Sequence, residues 1–135
     1  MKYEILEHTA DIGIRACGRT LPELYSTAAE GMFAIIYDAW DGKGSESIAL
    51  EIDGMDAEHL MVRWLSELLN LSREGWAFDR FEISDVTERK IMARCHGAKH
   101  KQPFKPKAEI KLVTYHGLKV ERFEEGYRAE VIFDV

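Results

Sequence analysis

Three parts of this chain carry residue types whose chemistry reaches beyond folding. Glu7-His8-Thr9-Ala10-Asp11 sets a histidine and an aspartate three residues apart, where one strand-like segment turns into the next. An aspartate at such a turn ordinarily bonds nearby backbone amides. Its alternative use is to offer a carboxylate oxygen to a hard cation such as Ca²⁺ or Mg²⁺. One acid does not make such a site. A second source of oxygen stands at the other end of the sequence, in Ile132-Phe133-Asp134-Val135, where the α-carboxylate of Val135 directly follows Asp134. Two carboxylates held close repel unless a cation or a proton intervenes. An ordered end beside Asp134 suits a metal; a frayed one leaves both charges to solvent.

The third part is basic. Between Arg89 and Lys111 there are eight Lys/Arg and one acid, Glu109, although the whole chain carries a net charge of −6. Arg94, Lys99, Lys101, Lys105 and Lys107 read either as a solvated lysine-rich loop or as a patch for an anionic partner. Lys111 opens Lys111-Leu112-Val113-Thr114-Tyr115-His116, in which Lys111, Val113 and Tyr115 alternate to one face; a lone lysine there is ordinarily an edge charge. Cys95-His96 and His100 with Cys17 are zinc-type ligands without Cys-x2-Cys or paired-histidine spacing. Dinucleotide-fingerprint, P-loop and Gly-x-Ser-x-Gly patterns are missing, and no nucleophile, base and oxyanion donor assemble from the sequence.

These residues need elements to hold them. Period-two alternation predicts strands over Tyr3–His8, Asp11–Gly18, Ser47–Asp53, Phe81–Val86, Ile91–His96, Ala108–His116, Leu118–Phe123 and Tyr127–Asp134. In the last, Tyr127, Ala129, Val131 and Phe133 share one face, leaving Ile132 and Asp134 on the other. Gly117 supplies the turn between Val113 and Leu118, and the two prolines of residues 99–106 predict a loop. Thr20-Leu21-Pro22-Glu23 is a helix start with Thr20 as cap, followed by an apolar stripe from Leu21 to Ile36. Asp56 opens a second helix, Ala57 to about Ser72, with Leu60, Met61, Trp64, Leu65, Leu68 and Leu69 on its stripe. Trp40, Trp64 and Trp76 read as core or boundary residues. The expected architecture is a single α+β domain over residues 1–135: a largely antiparallel or mixed sheet with two amphipathic helices packed on one face.

At 135 residues, 46% apolar and 31% charged, the chain is long enough to bury a core without disulfides or a structural metal. Two cysteines, no apolar leader and no run of about 18 apolar residues point to a reduced, cytoplasmic setting rather than a membrane or secreted one.

His8-Thr9-Ala10-Asp11-Ile12-Gly13, Trp64-Leu65-Ser66-Glu67-Leu68-Leu69, Lys111-Leu112-Val113-Thr114-Tyr115-His116 and Phe133-Asp134-Val135, in that order along the whole chain, resemble the archease family. The resemblance implies a small cytoplasmic protein of tRNA processing that partners the RtcB-type RNA ligase of tRNA splicing. It would promote that ligase's GTP-dependent, metal-dependent guanylylation and multiple turnover without being an enzyme itself. By the same resemblance Asp11, Asp134 and Val135 hold a divalent metal, usually calcium, with the ligase's own metal left open as the occupant. Lys111 opens the motif linked to ligase activation, where Leu112 replaces the family's usual small residue. His8 and His116 belong to the motifs without an assigned step. The basic window would then meet tRNA or an acidic surface of the ligase. Two other readings stay open: a chaperone-like role toward a tRNA cytosine methyltransferase, and a stand-alone metal-dependent hydrolase using the same carboxylates.

Overall fold

The computed structural model describes residues 2–7, 11–102 and 105–135. Its elements are β1 (Lys2–Glu7), β2 (Asp11–Gly18), α1 (Leu21–Ile36), β3 (Glu46–Asp53), α2 (Ala57–Arg73), β4 (Trp76–Val86), β5 (Lys90–Lys99), β6 (Leu112–Val113), β7 (Lys119–Phe123) and β8 (Gly126–Asp134). The class is α+β with antiparallel strand pairing throughout. Among the described residues no helix is long and apolar enough to cross a membrane.

Both helices start as their sequences dictate. The Glu23 N–H donates to Thr20 Oγ1, and the His59 N–H donates to Asp56 Oδ1. Each cap satisfies a donor that the first turn would otherwise leave open. The helices are tied to each other by two polar bonds. Trp64 Nε1 donates to the Tyr25 carbonyl at 2.9 Å, and the Tyr25 hydroxyl donates to the Ala57 carbonyl at 2.8 Å. Trp64 is wholly buried, against Phe81. Around it Phe33, Phe78 and Phe81 pack at ring distances of 5.5 to 5.8 Å, the core of the domain.

Where one sheet was expected, the strands divide into two. The larger runs β1-β2-β8-β6, with β7 also on β8; the smaller runs β3-β5-β4. Both helices touch strands of both sheets, so β1 and β4 end as separate edges with α1 spanning between them. Alternation along a strand reveals its buried face but not its neighbour, which is why the division was not visible in the sequence.

Three further expectations change. The strand over Ala108–His116 contracts to Leu112–Val113, because Arg73 Nη2 donates to the carbonyls of Ile110 at 3.0 Å and Lys111 at 2.7 Å. Those carbonyls therefore serve α2 instead of a ladder. The β4 strand begins at Trp76, five residues early, since Trp76, Ala77 and Phe78 are all buried. Trp40, expected in the core or at its boundary, is 70% exposed on a short 3-10 turn over Ala39–Gly42. The turn at Gly117 forms as expected, with φ of +59° and the Leu118 N–H donating to the Tyr115 carbonyl. The last position of the strand Tyr3–His8 lies outside the described residues.

Candidate functional site

β2 and β8 come from opposite ends of the chain and pair antiparallel over their full length. Ile14, Ala16, Ala129, Val131 and Phe133 are buried against the helices. The other face carries the charges. There the cross-strand neighbours are complementary along most of the sheet: Glu4 faces Arg15, Arg15 faces Glu130, Lys119 faces Glu130, and Glu121 faces Arg128. Arg15 reaches Glu130 at 3.2 Å and Glu4 at 3.5 Å, and Glu130 with Glu4 holds its guanidinium pKa above the usual value. Arg128 also lies 4.6 Å over the Phe123 ring.

At the end of the same two strands the pattern reverses. Asp11 is the register partner of Asp134, so two carboxylates project from directly opposite positions on one face. Side chains so placed have Cβ atoms about 4.5–5.5 Å apart, and like charges there destabilise the pair. Oδ1 of Asp11 is buried and has no hydrogen-bond partner among the described residues. The two aspartates line an open cleft of about 670 Å³, walled by Thr114, Tyr115, His116 and Ile132. Leu112 and Tyr115, 56% and 57% exposed, form an apolar rim.

A short strap of chain closes the corner. Thr114 donates its N–H and its hydroxyl to the Ile132 carbonyl, at 3.0 and 2.9 Å, and Thr114 Oγ1 accepts from the His116 N–H. The Lys111 N–H donates to the Asp134 carbonyl at 2.8 Å. In β6 Leu112 is the register partner of Asp134 and lies on its side, whereas Val113, opposite Phe133, is buried; Lys111 precedes the strand and is exposed. Lys111 thus abuts the corner through its main chain and does not line the cleft. Val135 follows Asp134 and is exposed. His8 lies outside the described residues.

Opposed carboxylates with an unpartnered oxygen are the donor chemistry a hard cation takes. Among the described residues no three His, Cys, Asp or Glu side chains cluster as a closed metal cage. Ca²⁺ takes 6–8 oxygens, so Asp11, Asp134 and main-chain oxygen at Val135 fit only an open site, with the remaining ligands supplied by water or a partner.

The other candidate residues are not brought to this corner. Arg94 and Lys99 lie on opposite faces of β5. Lys99 stands 5.9 Å over the Trp76 ring, Arg94 bonds Ser47, and Lys107 pairs with Asp38 at 3.6 Å. Lys101 and Lys105 are exposed beyond the end of β5. Arg94 is therefore set apart from Lys99, and Lys107 is engaged by Asp38. Cys95 and His96 also point to opposite faces; burial pushes the Cys95 thiol up to about 12, whereas Cys17 is exposed on the larger sheet. Sequence reasoning missed Arg73. A basic residue in the last turn of a helix reads as a partner of the helix dipole, which hides its use as a clamp on the chain entering the corner.

Residues 3–135 match the Archease protein family (MTH1598/TM1083). A protein named archease from Methanosarcina acetivorans is 37% identical over 99% of this chain and 96% of its own length. One from Pyrococcus abyssi is 35% identical over 99% of both. The solution structure of Methanobacterium thermoautotrophicum protein 1598 superposes with a TM-score of 0.82 at 26% identity, covering 98% of each chain. The crystal structure of a Thermotoga maritima archease, described as a possible chaperone, shares the fold with a TM-score of 0.58 at 24% identity, covering 100% of this chain and 98% of its own. With its residues matched from one end of the fold to the other, the two aspartate-bearing strands included, this chain belongs to the archease family.

Proposed function

We propose that this protein is an accessory activator of an RtcB-type tRNA-splicing RNA ligase, promoting guanylylation and repeated turnover, and that Asp11 and Asp134 hold a divalent cation, calcium, at the surface presented to the ligase. The observation that carries the reading is the like-charge register pair on a face where the other charged neighbours are opposite in sign. A cation between them would neutralise developing phosphate charge in guanylyl transfer, the usual service of a metal in phosphoryl chemistry. The residues of this chain contribute position. β2 and β8 fix the carboxylates, the Thr114 bonds hold the cleft wall, and the exposed Leu112 and Tyr115 provide apolar surface for a partner. The open ligand shell suits a site completed by another protein. Lys111, whose main chain bonds Asp134, would meet a phosphate or a carboxylate of that partner with its exposed side chain.

The test is a turnover assay with ligase, exon-half RNA and GTP, with and without this protein. Stimulation that disappears in folded Asp11→Ala and Asp134→Ala variants supports the reading. Full stimulation by both removes the metal from it, and no stimulation by the intact protein removes the ligase. A second reading is suggested by the words attached to the Thermotoga maritima relative, a possible chaperone. In it the client is a tRNA cytosine methyltransferase, and protection of that enzyme from aggregation, independent of Asp11 and Asp134, would favour it.

A further inference from the structure

The chain that leads into the aspartate corner is a strap, residues 106–111, that belongs to no strand. It runs from beside the end of α1 to the start of β6, past an open cavity of about 220 Å³ lined by Ile36, Leu69, Arg73, Pro106, Ala108 and Ile110. With space behind part of it, the strap depends on a few fixed points. At its start the Lys107 N–H donates to the Ile36 carbonyl at 2.7 Å. At its end the Ile110 side chain is buried, and the Lys111 N–H donates to the Asp134 carbonyl at 2.8 Å. The carbonyls of Ile110 and Lys111 are taken by a single atom of the neighbouring helix, Nη2 of Arg73, at 3.0 and 2.7 Å.

Arg73 is well anchored for that task. It is the last residue of α2, a helix fixed in the core by Leu60, Trp64, Leu65 and Leu68, all fully buried. Its other amino nitrogen, Nη1, donates to Asn70 Oδ1 at 3.2 Å, three residues back on the same helix. The guanidinium is thus oriented by α2 as it reaches the strap. Hydrogen bonds from an ionised donor are about twice as strong as neutral ones, so two of them make a firm hold on a short, otherwise irregular segment. Lys111 passes that hold onward, because its carbonyl accepts from Arg73 while its N–H donates to Asp134. Asp134 in turn stands opposite Asp11. A continuous line of bonded contacts therefore joins the end of α2 to the carboxylate pair.

We propose that Arg73 is a positioning residue of the aspartate corner: it pins the main chain at Ile110 and Lys111, so that the Lys111 N–H stays on the Asp134 carbonyl and the Asp134 carboxylate stays opposite Asp11, set in advance for a cation. The cation in this inference rests on the function proposed above; the pinning of the main chain does not. Setting the ligands in advance matters because a site correctly formed for only a fraction of the time binds more weakly by that fraction. Arg73 touches neither the cation nor a partner in this role and acts through Lys111.

The test compares Arg73→Ala and Arg73→Lys with the parent, by amide hydrogen exchange in EDTA and by titration with calcium chloride. Because one nitrogen makes both bonds, a lysine ammonium is the conservative substitute. In Arg73→Ala, exchange at the Lys111 amide should accelerate by about tenfold or more, the equivalent of one charge-assisted hydrogen bond. Calcium affinity should fall by about threefold or more, as the corner is correctly set for a smaller share of the time. Arg73→Lys should recover most of both losses. Ile91→Val, which trims the buried core at the smaller sheet, should change neither, and this separates positioning from a general loss of stability. An unchanged Lys111 amide or unchanged calcium affinity in folded Arg73→Ala would overturn the proposal. So would equal effects of Ile91→Val, or no recovery in Arg73→Lys. A parent protein that binds no calcium would remove the metal from the function proposed above, and exchange at Lys111 would still decide the pinning.

Discussion

The backbone N–H of Lys111 donates to the carbonyl oxygen of Asp134 at 2.8 Å, while the Lys111 side chain makes no ion pair among the described residues. What Lys111 gives to the fold is main chain, which any residue but proline supplies. Lys111→Ala should therefore leave stability within about 0.5 kcal/mol, as exposed substitutions do, and leave calcium affinity unchanged. Ligase stimulation should fall by about tenfold or more, the value of one charge-assisted contact. Urea unfolding, calcium titration and the turnover assay separate the three effects. A drop in calcium affinity would mean that the ammonium acts within the corner rather than toward a partner.

Placing like charges at opposite register positions gives the pair at Asp11 and Asp134 a measurable signature. In metal-chelated buffer, Asp11→Asn should be more stable than the parent by about 0.2–1 kcal/mol, since one member of a repelling cross-strand pair is neutralised. Calcium at one hundred times its dissociation constant should stabilise the parent by about 2.7 kcal/mol and the variant far less. Chemical denaturation with EDTA and with calcium chloride checks both arms. A variant less stable in EDTA, or equally stabilised by calcium, would contradict the assignment.

Burial holds the Glu30 carboxyl above its ordinary range, opposed by the Ser26 hydroxyl and the positive amino terminus. An acid whose folded pKa is raised favours the folded chain while protonated, and that contribution is lost as pH rises through its folded value. Glu30→Gln stays neutral at every pH. It should therefore be more stable than the parent at pH 7, and the difference should disappear below about pH 4, where the parent's carboxyl is protonated in both states. Urea midpoints across this interval measure the sign. A variant less stable at pH 7 would mean that the ionised carboxylate is satisfied in the isolated protein.

The two thiols should part company in reactivity. Cys17 is exposed, and Cys95 is fully buried with its thiol pushed up to about 12 by burial; the thiolate is the reactive form. Ellman's reagent should titrate one thiol per native chain at pH 8 and two in guanidinium chloride. Two equivalents from the native protein would show β5 opening far more readily than its packing allows.

Local chemistry was readable from sequence, and long-range pairing was not. Thr20 and Asp56 announced the two helix starts, the stripe through Trp64 announced its burial, and alternation in residues 127–134 separated Asp134 from Phe133 correctly. Each of these depends on neighbours within a turn or a strand. That Asp11 stands opposite Asp134 depends on a register between the two ends of the chain, and a shift of one residue would have sent Asp11 to the other face. The contraction of residues 108–116 to a two-residue strand needed Arg73 to be seen on the neighbouring helix. Trp40 misled because bulk and hydrophobicity favour burial on average, while a 3-10 turn has room for only some of its side chains against the core.

The ladder between β2 and β8 also bears on how the molecule is assembled. β1 with β2, and β7 with β8, are hairpins that close over short loops, whereas joining the two hairpins encloses nearly all the intervening chain, an entropic cost met only when most of the domain is in place. The aspartate corner is then a late product of folding. An ion bound there would act mainly as a latch, slowing the release of the two ends while scarcely changing how fast they first find each other.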